Sequence, residues 1–321
     1  MGTYPTTIIQ QALQTARAQR KRPPKLGPYK LAGSTQRATE RELSALVRDL
    51  VADLEARVLA LIPEESPTTR TDAESSPLDL RPLLKSRTDL YVRRISPQAE
   101  RMLTAAEREQ LAAEKRVVSP LGIDVIGSEP WLQKKLQERS REFTSLITEM
   151  ARDTELRIGR LALESLQTGR SRTWLRKQIG EVAGIGERRA KLIGRDQVGK
   201  LQGALHEARQ KDLGVESYVW RTSRDERVAG NPSGFYPDPD SSSDTHGDHH
   251  EREGRRFLWK KSGGKLIEVL EGGKTRETDF ADGNPGEPIQ CRCFAEPVLE
   301  GLEDLQNLDR PAPVAKHVKY R

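Results

Sequence analysis

Two cysteines near the C-terminal end are the residues best suited to chemistry in this sequence. Cys291 and Cys293 are separated by one residue and are the only cysteines of the 321-residue chain. Cysteines this close do not easily form a disulfide with each other, whereas paired thiolates are good ligands for soft metal ions. Because two ligands make half of a tetrahedral site, two interpretations stay open: a metal site, or two reduced buried cysteines.

Histidine and aspartate residues upstream could complete such a site. The candidates are His246, His249, His250 and Asp225. Imidazole and thiolate together suit Zn²⁺. The site that we predict consists of Cys291, Cys293, His249 and Asp225, with zinc as the ion. The same histidines with Asp248 leave a metal-dependent hydrolase open as a further alternative.

A glycine pair suggests a second kind of site. The stretch Val182-Ala183-Gly184-Ile185-Gly186 matches the helix-hairpin-helix pattern, in which small residues let backbone N–H groups approach phosphate. We predict helices over 171–182 and 187–211, joined by a turn at Gly184 and Gly186. The turn either contacts nucleic acid or is purely structural.

Positive charge is concentrated at the two ends of the chain. The formal net charge is +6, while residues 1–39 contain seven lysine or arginine residues and no acidic residue. A basic arm attracts polyanions by counterion release, although it can equally serve as a solubilising tail. The nucleic-acid-binding candidates in the arm are Arg17, Arg20, Lys21, Arg22 and Lys25.

Composition excludes several classes of protein. Charged residues make up 32% of the chain and aromatic residues 5%, against a typical charged share of ~25%. Such a chain has much surface per unit of core, which favours long helices. It has no run of 18 apolar residues, so no membrane-spanning helix is expected. Two cysteines cannot frame a secreted scaffold, and no secretory signal is recognisable, so we expect a reducing cytoplasmic setting.

The elements that must position these residues follow from apolar spacing. Side chains every three to four residues predict helices over 37–62, 78–94, 98–116 and 130–168. The last would begin near Ser128 and end at Gly169, with a length of about 57 Å. Short strands are predicted at 218–221, 256–259 and 266–270, and residues 230–244 form a surface loop. The fold class is therefore α+β, with an elongated helical N-terminal half and a small C-terminal module of short antiparallel strands.

The ordered fragments of the C-terminal half resemble the phage Mu F-like minor head morphogenesis family. They are Arg189-Ala190-Lys191-Leu192-Ile193-Gly194-Arg195-Asp196-Gln197, Tyr218-Val219-Trp220-Arg221-Thr222-Ser223-Arg224-Asp225-Glu226-Arg227-Val228, His249, Gly254, Phe257, Trp259 and Ile289-Gln290-Cys291-Arg292-Cys293. The match covers roughly residues 150–300. Together with the charge and apolar patterns it divides the chain into a basic arm (1–35), a helical region (36–170), the Mu F-like domain (171–300) and a basic tail (301–321).

The resemblance implies a non-enzymatic structural protein of tailed-phage heads. Its expected partners are the portal protein, the capsid or scaffold protein, and packaged double-stranded DNA, but no membrane. Its expected location is the capsid interior or portal vertex of the virion, and the host cytoplasm during assembly. The alternative from the residues themselves is a non-specific nucleic-acid-binding accessory protein.

Overall fold

Four long helices followed by a five-stranded antiparallel sheet make up the described part of the chain. A computed structural model describes residue 29 and residues 33–62, 80–118, 129–223 and 249–298. The helices are α1 (Ser34–Leu59), α2 (Leu80–Val118), α3 (Leu132–Thr168) and α4 (Arg172–Asp212). The strands are β1 (Ser217–Arg221), β2 (Arg256–Leu258), β3 (Ile267–Val269), β4 (Thr275–Glu277) and β5 (Phe294–Pro297). The predicted α+β class with short antiparallel strands is confirmed.

The four helices share one apolar core. Each contributes side chains at helical spacing, for example Leu54 and Val58 of α1, Phe143 of α3, and Leu201 and Leu205 of α4, all fully buried. Thus α4 packs into the helical core, although the domain boundary predicted at residue 170 groups it with the strands. Within the described ranges, no helix is long and apolar enough to cross a membrane.

The helix α3 matches its prediction at the C-terminal end. Gly169 follows the last residue in a left-handed conformation (φ 67°), and its N–H donates to the carbonyl of Ser165. Only glycine adopts this conformation without strain, so it ends the helix. The predicted N-cap, Ser128, lies outside the described residues. The 37 residues of α3 span about 55 Å.

The break predicted at Pro97 is wrong, because α2 runs through it as one helix of 39 residues. Proline removes one backbone hydrogen bond from a helix interior. Here the ring lies on the exposed side, while Ile95, Ala99 and Met102 around it are buried in the core. Packing of this apolar face keeps the chain helical, since tertiary contacts outweigh local propensity.

The turn predicted at Gly184 and Gly186 is also wrong, because α4 is one helix of 41 residues. Gly186 is buried against α1, where a Cβ atom would come within 2.9 Å of Val47 Cγ1. The glycine lets two helices approach closely, and this role replaces the predicted chain reversal. The backbone N–H groups there lie inside the helix, so the phosphate-binding geometry of a hairpin turn is absent.

The sheet has the strand order β4-β3-β2-β1-β5, and every neighbouring pair is antiparallel. Its core is small and largely aromatic, and consists of Tyr218, Trp220, Phe257, Trp259, Leu266 and Ala295. The strands β1, β2 and β3 fall within one residue of their predicted positions or inside them, whereas β4 and β5 were not predicted. The basic arm up to residue 28, the loop at 230–244 and the basic tail lie outside the described residues.

Candidate metal centre

One cluster of side chains in the described ranges offers three ligands to a metal ion: His249, Cys291 and Cys293. Their ligand atoms all lie within 4.8 Å of one another. His249 Nδ1 is 3.5 Å from Cys293 Sγ and 3.8 Å from Cys291 Sγ. His249 is buried and both cysteines are partly buried. The arrangement can hold a metal ion through two sulfurs and one nitrogen.

The sheet brings these three residues together across more than 40 positions of sequence. The cysteines directly precede β5, which pairs with β1 in the register Trp220↔Ala295 and Arg221↔Phe294. His249 directly precedes a 3₁₀ turn at His250–Arg252, which leads into β2 on the other side of β1. The strand β1 pairs with both β2 and β5, so it fixes both halves of the cluster.

The loop before the cysteines is held against α4 by close backbone contacts. Gln290 has a left-handed backbone (φ 56°), and its N–H donates to Asp196 Oδ1 at 2.9 Å. The Gly286 N–H donates to Cys291 Sγ at 3.4 Å. Gly203 of α4 allows this approach, because a Cβ atom there would lie 2.8 Å from the carbonyl oxygen of Pro285. These contacts set the position of the Cys291 sulfur.

Asp282 orients the imidazole of the cluster. His249 Nε2 lies 2.9 Å from Asp282 Oδ2, while the other ring nitrogen, Nδ1, faces the sulfurs. If Nε2–H donates to the carboxylate, Nδ1 can present its lone pair to a cation. A carboxylate behind a ligating histidine is the usual outer partner of such a ligand.

A fully buried arginine lies behind the cluster. The Arg252 side chain is 0% exposed and forms an ion pair of 2.7 Å with Asp282. Its guanidinium stacks between the rings of Trp220 and Phe280, at 4.8 and 4.1 Å from their centroids. The ion pair and the cation–π contacts offset part of the cost of burying this charge, because Nε, Nη1 and Nη2 make no hydrogen bond with the described residues.

The protons of the cluster are unevenly distributed. Burial alone would lower the pKa of His249, but the contacts with Asp282 and Cys291 raise it to about 9. A hydrogen bond with Cys293 lowers the pKa of Cys291 well below its usual range, and His249 lowers it further despite burial. The pKa of Cys293 is raised, first by that shared hydrogen bond and then by burial. The cluster thus favours one thiolate beside an imidazolium, and a cation would take the place of the protons.

Three of the four predicted metal ligands come together. The fourth, Asp225, lies outside the described residues, as do His246 and Asp248. His250 is exposed and is not a member of the cluster. Asp282 and Arg252 were not predicted from the sequence, because neither has a spacing or a neighbour that distinguishes it from other charged residues of the module.

The predicted nucleic-acid-binding residues divide into two groups. Arg17, Arg20, Lys21, Arg22 and Lys25 lie outside the described residues. Gly184 and Gly186 lie within α4, so the structure contradicts their predicted role as a phosphate-binding turn. Gly186 faces α1, whereas Gly184 is partly exposed.

Comparison with known proteins gives one curated relative, an uncharacterized protein of Haemophilus influenzae strain Rd. It is 30% identical over 131 residues, which are 41% of this chain and 22% of that protein. The chain therefore spans about a fifth of the relative's length. Because the relative is uncharacterized, the match carries no function to this chain. No protein-family model matches the sequence, and no solved structure matches it.

Proposed function

We propose that the protein is a minor head morphogenesis protein of a tailed phage, with an attachment role and no catalytic one. One observation carries the proposal: the described residues of the resemblance converge in space. His249, Cys291 and Cys293 form the candidate metal cluster, while Trp220 and Phe257 belong to the core beside it. These residues come from separate fragments of the sequence, and their convergence is what a shared structural module requires.

Zinc is the ion that we propose for the cluster. In a tetrahedral site with Zn–N of ~2.1 Å and Zn–S of ~2.3 Å, the nitrogen and sulfur ligands lie about 3.6 Å apart. The two distances from His249 Nδ1 to the sulfurs, 3.5 and 3.8 Å, bracket that value. Thiolate and imidazole ligands favour zinc over calcium or magnesium, which prefer oxygen. Zinc therefore fits this cluster both in the distances between the ligand atoms and in the chemistry of the donor atoms.

The proposed role of zinc is to join the loop before β5 to the turn before β2. The module has strands of three to five residues and a small core. Small domains with limited cores use metal ions or disulfides for stability. A rigid module can present a fixed surface to the portal, capsid or scaffold protein, which are its proposed partners. The proposed location is the capsid interior or portal vertex, and the host cytoplasm during assembly.

The test of the head protein proposal is its presence in particles. Virions and procapsids are purified from cells that carry the gene, and the protein is sought by mass spectrometry. A head protein is expected in both at low, reproducible copy number relative to the major capsid protein. Absence from both would contradict the proposal.

Elemental analysis of the purified protein tests the zinc proposal separately. We expect about one zinc per chain in the native protein and none after His249→Ala with Cys291→Ser. A native protein free of zinc that also fails to take it up from solution would contradict the assignment.

The second candidate function is non-specific nucleic-acid binding by the basic arm. It is favoured by the seven cationic residues and absence of acidic residues in positions 1–39. The expected signature is DNA binding that weakens with salt and with neutralisation of Arg17, Arg20, Lys21 and Arg22. Binding insensitive to both would contradict it. A hydrolase built on His246, Asp248, His249 and His250 is not favoured, since the exposed His250 is not a member of the cluster.

A further inference from the structure

The net positive charge of α4 lies in its N-terminal part. Residues 170–195 contain eight lysine or arginine residues and two glutamates, whereas residues 196–212 contain three of each sign. The neighbouring helix α3 is nearly neutral, with seven cationic and six acidic residues. Arg176, Arg189 and Arg195 of this part form ion pairs with Glu55, Asp153 and Glu40 of neighbouring helices, so the excess that is left belongs to the other cations.

Three of these cations lie on the outer side of α4 with no acidic partner. Lys177, Arg188 and Lys191 are exposed, and their helical positions are opposite the buried residues Ile179 and Ala190. Within the described ranges none of the three forms an ion pair, although the exposed Glu181 lies on the same side of the helix, one turn after Lys177. From Lys177 to Lys191 the helix rises about 21 Å. The result is a row of three cations with one carboxylate beside it, which leaves a net charge of +2 on this side of the helix.

Two glycines lie on the same outer side, and the fold does not require them. A Cβ atom at Gly180 would meet nothing within 4 Å, and one at Gly184 would meet only the Arg188 side chain at 3.7 Å. The buried Gly186, in contrast, has a packing role. Glycine destabilises a helix interior relative to alanine. Exposed glycines between cations leave the helix backbone open to close approach by a partner.

We propose that this surface, which we call the α4 basic face (Lys177, Gly180, Gly184, Arg188 and Lys191), binds the phosphate backbone of double-stranded DNA. Charge complementarity selects the partner, since duplex DNA is a rigid polyanion with closely spaced charges. The contact is independent of base sequence, because cations on a helix side reach phosphates without reading bases. The proposal depends neither on the metal cluster nor on a location in the virion.

The experiment measures binding of the full-length protein to a fluorescein-labelled 30-base-pair duplex by anisotropy, over a series of KCl concentrations. The test variant is K177Q/R188Q/K191Q. The matched control is K134Q/R141Q/R160Q, which removes three exposed cations from α3. Both variants keep the basic arm, so any difference between them comes from the helices.

We expect the test variant to bind at least 10-fold more weakly at 100 mM KCl, and the control to change less than 2-fold. The slope of log Kobs against log[KCl] should become less steep by about 2.7, from a contribution of about 0.9 for each lost phosphate contact. Equal affinity of the test variant and the native protein, or equal losses in test and control, would overturn the proposal.

A glycine variant separates binding from stability. We expect Gly184→Gln to raise the thermal unfolding midpoint, since it adds a helix former where there is space, and to weaken DNA binding. The alternative occupant of this side of α4 is a protein, which would contact Ile185 and Leu192, 42% and 43% exposed. It would be indicated if the native protein self-associates and the test variant loses that association while it keeps its affinity for DNA. That result would overturn the assignment of DNA.

Discussion

The helical bundle and the sheet are stabilised in different ways. The bundle has one continuous apolar core to which all four helices contribute. The sheet has a small aromatic core, strands of three to five residues, a buried arginine and the His/Cys/Cys cluster. Hydrophobic burial is therefore the main stabilising contribution in the bundle. The sheet depends more on specific contacts, so each loss there has a larger structural consequence.

The contact between the two regions is polar. His206 of α4 lies between the Glu114 carboxylate of α2 and the backbone carbonyl of Ala295 in β5. Gln210 donates to the same carbonyl and accepts from the indole N–H of Trp259 at 3.0 Å. Such a network specifies one orientation of the sheet on the bundle, because every polar group needs its partner.

If the cluster holds zinc as proposed, loss of its candidate ligands is expected to have the largest effect and to fall on the sheet alone. Structural zinc contributes on the order of 10 kcal/mol to folding in small zinc domains. In Cys291→Ser with Cys293→Ser, or with a strong chelator, we expect the near-ultraviolet signal of Trp220 and Trp259 to be lost. The far-ultraviolet helical signal should remain.

A control in the same loop is Ile289→Ser, because Ile289 is 53% exposed and is not a ligand. It should keep the aromatic signal of the sheet. If the cysteine variant loses helical and aromatic signals together, the bundle and the sheet fold as one unit and the comparison fails.

Arg209 should give the largest single effect within the bundle. Its side chain is 1% exposed and pairs with Glu107 and Glu129, at 2.7 Å each. In Arg209→Met both partly buried carboxylates lose their counter-ion, which we expect to lower the free energy of unfolding by about 3–5 kcal/mol. Urea titration measures it. The exposed pair of Arg152 with Asp89 provides the control, since Arg152→Met should cost below about 1 kcal/mol.

Two glycines of α4 provide a test of bundle packing. Their substitutions by alanine should have smaller effects, and these effects should have opposite signs. Gly186→Ala should destabilise by about 1–3 kcal/mol, because its methyl group would come within 2.9 Å of the buried Val47. Gly180→Ala should stabilise by about 0.5–1 kcal/mol, because its methyl group meets nothing. Thermal unfolding of the two variants should therefore shift in opposite directions. Shifts of the same sign would contradict close α1–α4 packing.

Glu109 should give the smallest effect, which depends on pH. It accepts hydrogen bonds from the backbone N–H groups of Gly33 and Thr35 and from the Ser34 hydroxyl at the start of α1. Burial would raise the pKa of Glu109, but these hydrogen bonds lower it below its ordinary value. The stabilisation is therefore complete above the unfolded-state pKa, about 4.3, and is lost as the pH falls through the lower folded-state pKa.

In Glu109→Gln we expect a loss of about 0.5–1 kcal/mol at pH 7 and almost none at pH 2, measured by urea unfolding at both values. Glu100→Gln, at an exposed position of the same helix, is the control. A loss of equal size at both pH values would show that the charge of Glu109 does not stabilise α1.

Much of the fold could be predicted from apolar spacing, and the errors came from local signals. The buried residues of α1 and α3 repeat every three to four positions, and Gly169 ends α3 as predicted. Pro97 and Gly186 predicted breaks, yet tertiary packing keeps both helices continuous. The strand β4 was missed because all three of its residues are exposed, which leaves no alternating pattern to recognise.

The candidate site was predictable where residue type alone points to chemistry. Cysteine and histidine are rare in this chain, so Cys291, Cys293 and His249 could be selected from the sequence. Asp282 and Arg252 could not, because the chain has 48 acidic and 54 basic residues and only the fold shows which of them meet. Their roles follow from the fold, which brings the 3₁₀ turn that contains Arg252 and the loop that contains Asp282 together at the sheet.

Tyr29 gives the N-terminal segment a mechanical connection to both regions. Its side chain is 7% exposed, and its ring lies 4.0 Å from that of His206 and 5.8 Å from that of Phe294. Because these two rings belong to α4 and β5, the chain at Tyr29 is attached at the junction of bundle and sheet, ahead of the start of α1.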